Sequence, residues 1–285
     1  MGINGVVKAK TISEDLRNMS VRISREAAKL LSENSSKPAY IEKVEEGGEA
    51  IRADLWAEEL ILNMLKEEGF AGKVITEERG ILELGDDHYI AIIDPLDGSK
   101  NYTRSIKWCS ISIAFAEKGG KGLDSIIAGS VHPIFWDEPI SFSRSEGVFL
   151  GDRLVTREEA LTQIRSRKNE VYLAVYMDQK GAIESIEKLY RSMTSKGRDV
   201  AIRSLGSAAL ELAFVSLGRI DAFIDARSRL RIVDAAAGAG MVIAQGGYVL
   251  DLRGNPPEVD FSRMHRFDSL VAFLDDKEKD TFMGE

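Results

Sequence analysis

The stretch Tyr89-Ile90-Ala91-Ile92-Ile93-Asp94-Pro95-Leu96-Asp97-Gly98-Ser99-Lys100-Asn101-Tyr102 sets two carboxylates at the mouth of an apolar run that reads as a buried strand. Pro95 biases Asp94 toward extended backbone, and Gly98 lets the chain turn so that the amides of Gly98 and Ser99 can face a ligand. Carboxylates hold a cation; amides hold an anion. An all-oxygen ligand set suits a hard ion such as Mg2+, which takes a few carboxylates together with water and substrate phosphate.

Upstream, Thr11-x-x-Glu14 is a helix start, followed by Ile12, Leu16, Met19, Ile23, Ala27 and Leu30 at spacings of three or four, which predicts an amphipathic helix. A second helix is predicted from about Glu49 to Glu68, with Ile51, Leu55, Ile61, Leu62 and Leu65 inward and a stop at Gly69. Strands are expected at Val74-Ile75, Tyr89 to Ile93, Cys109 to Ala116 and Ile126 to Val131, with Lys118 to Gly122 as a hairpin loop. After the Gly151-Asp152 turn the texture alternates. Strand Val171 to Tyr176, helix Ala182 to Met193, helix Leu205 to Leu217, strand Ile220 to Ile224 and helix Ala235 to Gln245 follow in order, and Asn255-Pro256-Pro257 reads as a loop. This divides the chain near residue 150, into an N-terminal α+β part (1–150) and a C-terminal α/β part (151–285) that completes the site.

A chain of 285 residues with 44% hydrophobic content can bury a sizeable core. No stretch approaches the roughly 20 apolar residues of a membrane span, and Met1 to Lys10 lacks a secretory apolar segment, so the cytoplasm is the expected compartment. One cysteine, Cys109, excludes an internal disulfide framework and reads as a small core residue. With three histidines it leaves no zinc cluster. The net charge of -8 argues against nucleic acid as a partner, since phosphate backbones need a basic footprint.

Three further acidic positions could join Asp94 and Asp97. Thr76-Glu77-Glu78 also follows an apolar pair, although such pairs are common in solvated turns. In Ile232-Val233-Asp234-Ala235-Ala236-Ala237-Gly238 an aspartate stands at the expected N-cap of a helix of small residues; aspartate caps helices routinely, but the small residues allow close packing. Asp54 lies on the second helix, where by itself it reads as a solvent-facing charge. Two carboxylates ~4 Å apart repel by about 4 kcal/mol at an effective dielectric of 20, so convergence of these groups would demand bound cations.

In this order the pieces resemble the inositol monophosphatase family, within the larger group of metal-dependent phosphatases that includes fructose-1,6-bisphosphatases. The anchors are Glu77-Glu78, Asp94 to Ser99, Gly206-Ser207-Ala208-Ala209, Gly218-Arg219-Ile220-Asp221-Ala222-Phe223 and Val233 to Gly238. The resemblance implies an αβαβα sandwich, a homodimer, and two or three Mg2+ ions, for which Mn2+ can substitute. It implies metal ligands Glu77, Asp94, the Leu96 carbonyl, Asp97 and Asp234. Asp54, Glu77 and the Ser99 hydroxyl would orient or deprotonate the attacking water. Substrate contacts would come from Asp97, Gly98, Ser99, Arg203, Gly206, Ala208 and Arg227.

Two departures from the family pattern bear on substrate. Arg227 stands where members acting on inositol phosphates carry glutamate, and Val233 replaces the tryptophan that often precedes the metal-binding aspartate. Arg227 resembles archaeal-type members that hydrolyse both fructose-1,6-bisphosphate and inositol-1-phosphate; guanidinium geometry suits a sugar hydroxyl or a second phosphate. Alternatively Arg227, with Arg229 and Arg231 nearby, is an exposed charge. Other readings are a 3'(2'),5'-bisphosphate nucleotidase and a catalytically silent metal-binding or interaction protein. An aspartate-nucleophile phosphatase needs Asp-x-Asp, whereas the spacing here is Asp-x-x-Asp; the EF-hand pattern is likewise unmet.

Overall fold

A computed structural model describes residues 11–44, 51–86 and 88–283. It begins with α1 (Ile12–Asn34), the short α2 (Pro38–Ile41) and α3 (Arg52–Glu67). Strands β1 (Lys73–Thr76), β2 (Gly80–Glu83) and β3 (Tyr89–Asp97) follow, then α4 (Ser99–Tyr102), β4 (Ser110–Glu117), β5 (Ile126–Pro133), β6 (Ile140–Ser143), β7 (Gly147–Leu150) and β8 (Arg153–Val155). These eight strands form one sheet in the order β2-β1-β3-β4-β5-β6-β7-β8, antiparallel except for the parallel pair β1 and β3. The rest of the chain contributes α5 (Arg157–Ser166), β9 (Glu170–Tyr176), α6 (Lys180–Ser195), β10 (Asp199–Arg203), α7 (Ala208–Ser216), β11 (Ala222–Asp225), α8 (Ile232–Ala244), β12 (Tyr248–Leu250), β13 (Leu270–Phe273) and α9 (Lys279–Met283). Their sheet runs β10-β9-β11-β13-β12.

Three apolar clusters define the layers. α1 and α3 cover one face of the first sheet, through Ile23, Leu31, Ile61 and Leu65 against Ala91, Ile93, Ile113 and Phe115. α7 and α8 fill the space between the two sheets, touching Ile92 and Ala114 on one side and Phe223 and Ala272 on the other. α6 and α9 cover the outer face of the second sheet through Ile186, Met193 and Phe282. This is the expected αβαβα sandwich. The Ala and Gly run of α8 is what lets a helix sit between two sheets: a Cβ on Gly238 would lie 2.4 Å from Leu212 Cβ, and one on Gly240 would lie 2.4 Å from the Phe142 ring. Each large side chain buried this way stabilises the fold by ~1.5–3 kcal/mol.

Local signals set most of the boundaries. Thr11 caps α1, its hydroxyl accepting from the Glu14 amide, and Gly69 ends α3 with φ +81°. Cys109 is buried as expected, and Lys118 to Gly122 does join antiparallel β4 and β5. Several expectations need correction. The predicted start of the second helix at Glu49 lies outside the described residues. Ile12 is 52% exposed, because it opens the helix, and Leu31 rather than Leu30 faces the core. Leu205 to Ser207 is loop and α7 starts at Ala208, since Gly206 takes φ +94°. Strand β3 does not stop at Ile93 but runs through Pro95 to Asp97. The short strands β2, β6, β7 and β8 carry three or four residues each, too few to show a period in sequence.

Candidate active site

The extension of β3 decides the geometry of its two aspartates. In an unbroken strand, residues three apart point to opposite faces. Here Asp94 pairs with Ser112 and Asp97 with Ser110, three residues against two, so a bulge absorbs one residue and returns both aspartates to the same face. Asp94 is buried; its Oδ1 accepts the Leu96 amide at 3.0 Å, and its Oδ2 is buried without a hydrogen-bond partner. Asp97 Oδ2 accepts from the Ser207 hydroxyl at 2.6 Å and the Ala209 amide at 2.8 Å. An acid from β3 thus caps α7, a helix from the other half of the chain.

Two more helix starts face the same place. Asp54 is the third residue of α3, and its Oδ2 accepts the Ile51 amide at 2.7 Å while Oδ1 is buried without a partner. Asp54 is 2% exposed, so its reading as a solvent-facing charge is corrected. Asp234 is likewise the third residue of α8, not its N-cap; its Oδ2 accepts the Arg231 amide at 2.9 Å. Both use the back-reaching half of a capping box. The N-termini of α3, α7 and α8 therefore each carry a site carboxylate, where the helix dipole favours negative charge.

Glu77 follows the end of β1. Arg231 bridges it to α8, with Nη1 2.6 Å from Glu77 Oε1 and Nη2 2.7 Å from Asp234 Oδ1. Crowding shows in the acidities. Burial pushes Asp54 up to about 8, with Glu77 and Glu78 adding to it. Burial, then Asp234, raise Asp97 to about 7 against the opposing hydrogen bonds from Ser207 and Ala209. Asp94 is raised well above the carboxylate range by burial and by Glu77, Asp97 and Asp234, with Arg231 opposing.

The loops beyond are locked together. A Cβ on Gly98 (φ +92°) would lie 3.0 Å from Gly206 O, and Asn101 Nδ2 donates to Leu205 O and Trp108 O, each at 2.7 Å. Gly98, Ser99, Gly206 and Ala208 thus fall in one neighbourhood with Asp97. Arg203, at the end of β10, lies exposed with its guanidinium 4.8 Å from the Tyr172 ring centre. Arg227 is not a free surface charge. Asp225 grips it through Nε and Nη2, Asp178 meets Nη1 at 2.8 Å, and it lies 4.3 Å over the Tyr176 ring.

The donor set is suited to a hard divalent cation. It is all oxygen, it crowds acids that raise one another's proton affinity, and it includes two buried carboxylate oxygens without partners. Among the described residues no three acidic, histidine or cysteine side chains are drawn together tightly enough to enclose an ion; the acids surround the Arg231 guanidinium instead. Sequence reading missed Arg231 as a site residue, along with Ser207, Asn101 and Glu58. Arg231 had a signal, since a basic residue three before an N-terminal helical acid can reach it. Ser207 and Asn101 lay inside quoted motifs without an assigned role.

The layered fold with acids gathered at three helix starts is that of a phosphatase family, as known proteins show. Residues 13–272 match the model of the inositol monophosphatase family. The chain is 40% identical to inositol-1-monophosphatase of Aeropyrum pernix, across 93% of this chain and 94% of that one. It is 33% identical to fructose-1,6-bisphosphatase/inositol-1-monophosphatase of Methanothermobacter thermautotrophicus, across 73% and 72%. The crystal structure of extragenic suppressor protein suhB from Bartonella henselae superposes with a TM-score of 0.75 at 26% identity, covering 95% of this chain and 99% of that one. The chain belongs to the inositol monophosphatase family. Enzymes of this family are generally metal-dependent. Among the described residues no helix is long and apolar enough to cross a membrane.

Proposed function

We propose that the protein hydrolyses phosphomonoesters of small sugars or inositol, with fructose-1,6-bisphosphate and inositol-1-phosphate as its substrates, using Mg2+ held by Glu77, Asp94, the Leu96 carbonyl, Asp97 and Asp234. The observation that carries this reading is the β3 bulge, which turns Asp94 and Asp97 to one face beside Asp234 and leaves Asp94 Oδ2 buried without a partner. When bound, the cations would neutralise charge on the phosphate and lower the pKa of water. The protein groups do the rest. Asp54, with its unpartnered Oδ1, would accept a proton from water held beside Glu77 and the Ser99 hydroxyl. The start of α7, at Gly206 and Ala208, orients the phosphate. No protein nucleophile is required.

The substrate reading rests on Arg227, on exposed Arg203, and on the names of the two archaeal relatives. Asp225 fixes the Arg227 guanidinium on one edge, and the exchangeable contact is with Asp178, whose side chain is 63% exposed. A ligand hydroxyl or second phosphate would take that edge. The soluble enzyme acting as a homodimer in the cytoplasm, divided near residue 150, completes the proposal.

Phosphate release with and without Mg2+, as kcat/KM on fructose-1,6-bisphosphate, inositol-1-phosphate and adenosine 3',5'-bisphosphate, tests it. The two sugar substrates should be cleaved only with Mg2+. Preference for the adenosine compound would replace this reading with the nucleotidase, and no release from any would favour a silent binding protein. Arg227→Ala should lower the bisphosphate rate more than the monophosphate rate; equal loss would remove Arg227 from substrate selection.

A further inference from the structure

Glu58 lies one helical turn beyond Asp54 on α3 and is fully buried, yet nothing in the chemistry above uses it. Its Oε1 accepts from the Thr76 hydroxyl at 2.6 Å and from the amides of Glu78 and Arg79 at 3.2 Å each. Its Oε2 forms an ion pair with Arg79 Nε at 3.0 Å, without hydrogen-bond geometry. Burying a carboxylate costs several kcal/mol unless charge and hydrogen bonds compensate it. Here all four compensating contacts go to a single short turn, the one that joins β1 to β2 and carries Glu77. The register Thr76↔Gly80 leaves only residues 77–79 between the strands, and Gly80 at φ +73° closes the turn.

We propose that Glu58 is a positioning residue for Glu77. It ties down the residue before Glu77 and the two amides after it, so the Glu77 backbone is held from both sides while its carboxylate extends to Arg231 at the start of α8. Asp54 and Glu58, four residues apart, are both buried on one face of α3. One rigid helix thereby sets the spacing between Asp54, which handles the water, and Glu77, which holds the cation. A polar contact behind a ligand typically controls 10- to 100-fold of metal affinity or activity. The inference rests on the reading of Glu77 as a metal ligand.

The test is Mn2+ affinity by isothermal titration calorimetry on the folded full chain, in Glu58→Gln, Thr76→Val and Glu77→Gln. Glu58→Gln keeps the shape but removes the charge that Arg79 and the amides require, so Mn2+ should bind roughly 10- to 100-fold more weakly. KM for the sugar phosphate at saturating metal should stay within about twofold, because the substrate contacts lie on other segments. A merely structural role would instead lower the melting temperature and leave the Mn2+ affinity of folded protein unchanged, which overturns the proposal. Should Glu58→Gln fail to fold, Thr76→Val decides: it removes one bond to Glu58 and should weaken Mn2+ in the same direction, and unchanged affinity overturns the inference. Glu77→Gln separates the two readings. If it binds Mn2+ normally, the ligand assignment falls and the positioning role with it; if it loses Mn2+ while Glu58→Gln does not, only the positioning role falls.

Discussion

Buried carboxylates at the two ends of this molecule are treated in opposite ways. Away from the active site, Asp221 accepts from Arg167 Nη2 at 2.8 Å and from the Tyr172 amide at 2.7 Å, and Asp275 takes Arg165 in two parallel bonds of 2.9 Å each. The Arg165 guanidinium holds Asp275 below the usual carboxylate range. At the candidate site Asp54, Asp94, Asp97, Glu77 and Asp234 crowd one another, Arg231 is shared by all but Asp97, and Asp54 Oδ1 and Asp94 Oδ2 have no partner. The first arrangement satisfies each charge within the chain. The second leaves charge that a proton or a bound cation must settle, and such perturbed groups concentrate at functional sites.

The comparison breaks first at Asp97. Asp97→Asn should lower turnover by at least about 10³-fold with an unchanged circular dichroism spectrum, since one proposed ligand is lost while Ser207 and the Ala209 amide still find an acceptor. Full activity in that variant would show that the crowded acids are structural, like those at the other end. A paired substitution sharpens the contrast in stability. Asp221→Ala should cost about 3–5 kcal/mol in denaturant unfolding by stranding Arg167. Asp94→Asn should raise the metal-free melting temperature, because it removes a charge that burial and its neighbours oppose. Equal destabilisation by both would erase the distinction.

A third test is the pH profile of the metal-free protein. Asp54 and Asp97 titrate near 8 and 7 in the fold but at 3.8 in their unperturbed state, so between about pH 4 and pH 8 the native form binds more protons than the unfolded form. The sign follows: their contribution to stability is fully present below pH 4 and is lost as pH rises toward 8. Asp275, whose pKa Arg165 lowers, acts oppositely and loses its contribution as pH falls below the normal carboxylate range. Melting temperatures of metal-free protein should therefore decline from about pH 5 to pH 8 and recover on adding Mg2+ at pH 8. A flat profile would mean that the site acids are compensated within the chain.

Much of the fold was legible because its helices announce themselves by caps and period: Thr11 before α1, Gly69 after α3, and the small-residue run of α8. The acidic residues were legible as motifs. Their surroundings were not. A strand whose apolar run ends at Ile93 continues through Pro95 because β4 accepts a bulge, and no local feature states that Ser110 and Ser112 will be the partners. Asp54 reads as exposed by helical position, yet β1 and β3 pack over that face of α3 and bury it.

Periodicity and capping residues thus determined most of the helices and strands and marked the acids as candidates, because these depend on residue chemistry within a few positions; the layered arrangement was legible only through the family resemblance of the motifs. Tertiary structure alone decided that Asp94 and Asp97 share a face, that Asp97 caps a helix more than a hundred residues away, that Arg231 stands between Glu77 and Asp234, and that Glu58 grips the turn behind Glu77. Those contacts join segments distant in the chain, and their energies depend on burial and mutual charge, which exist only once the layers have closed.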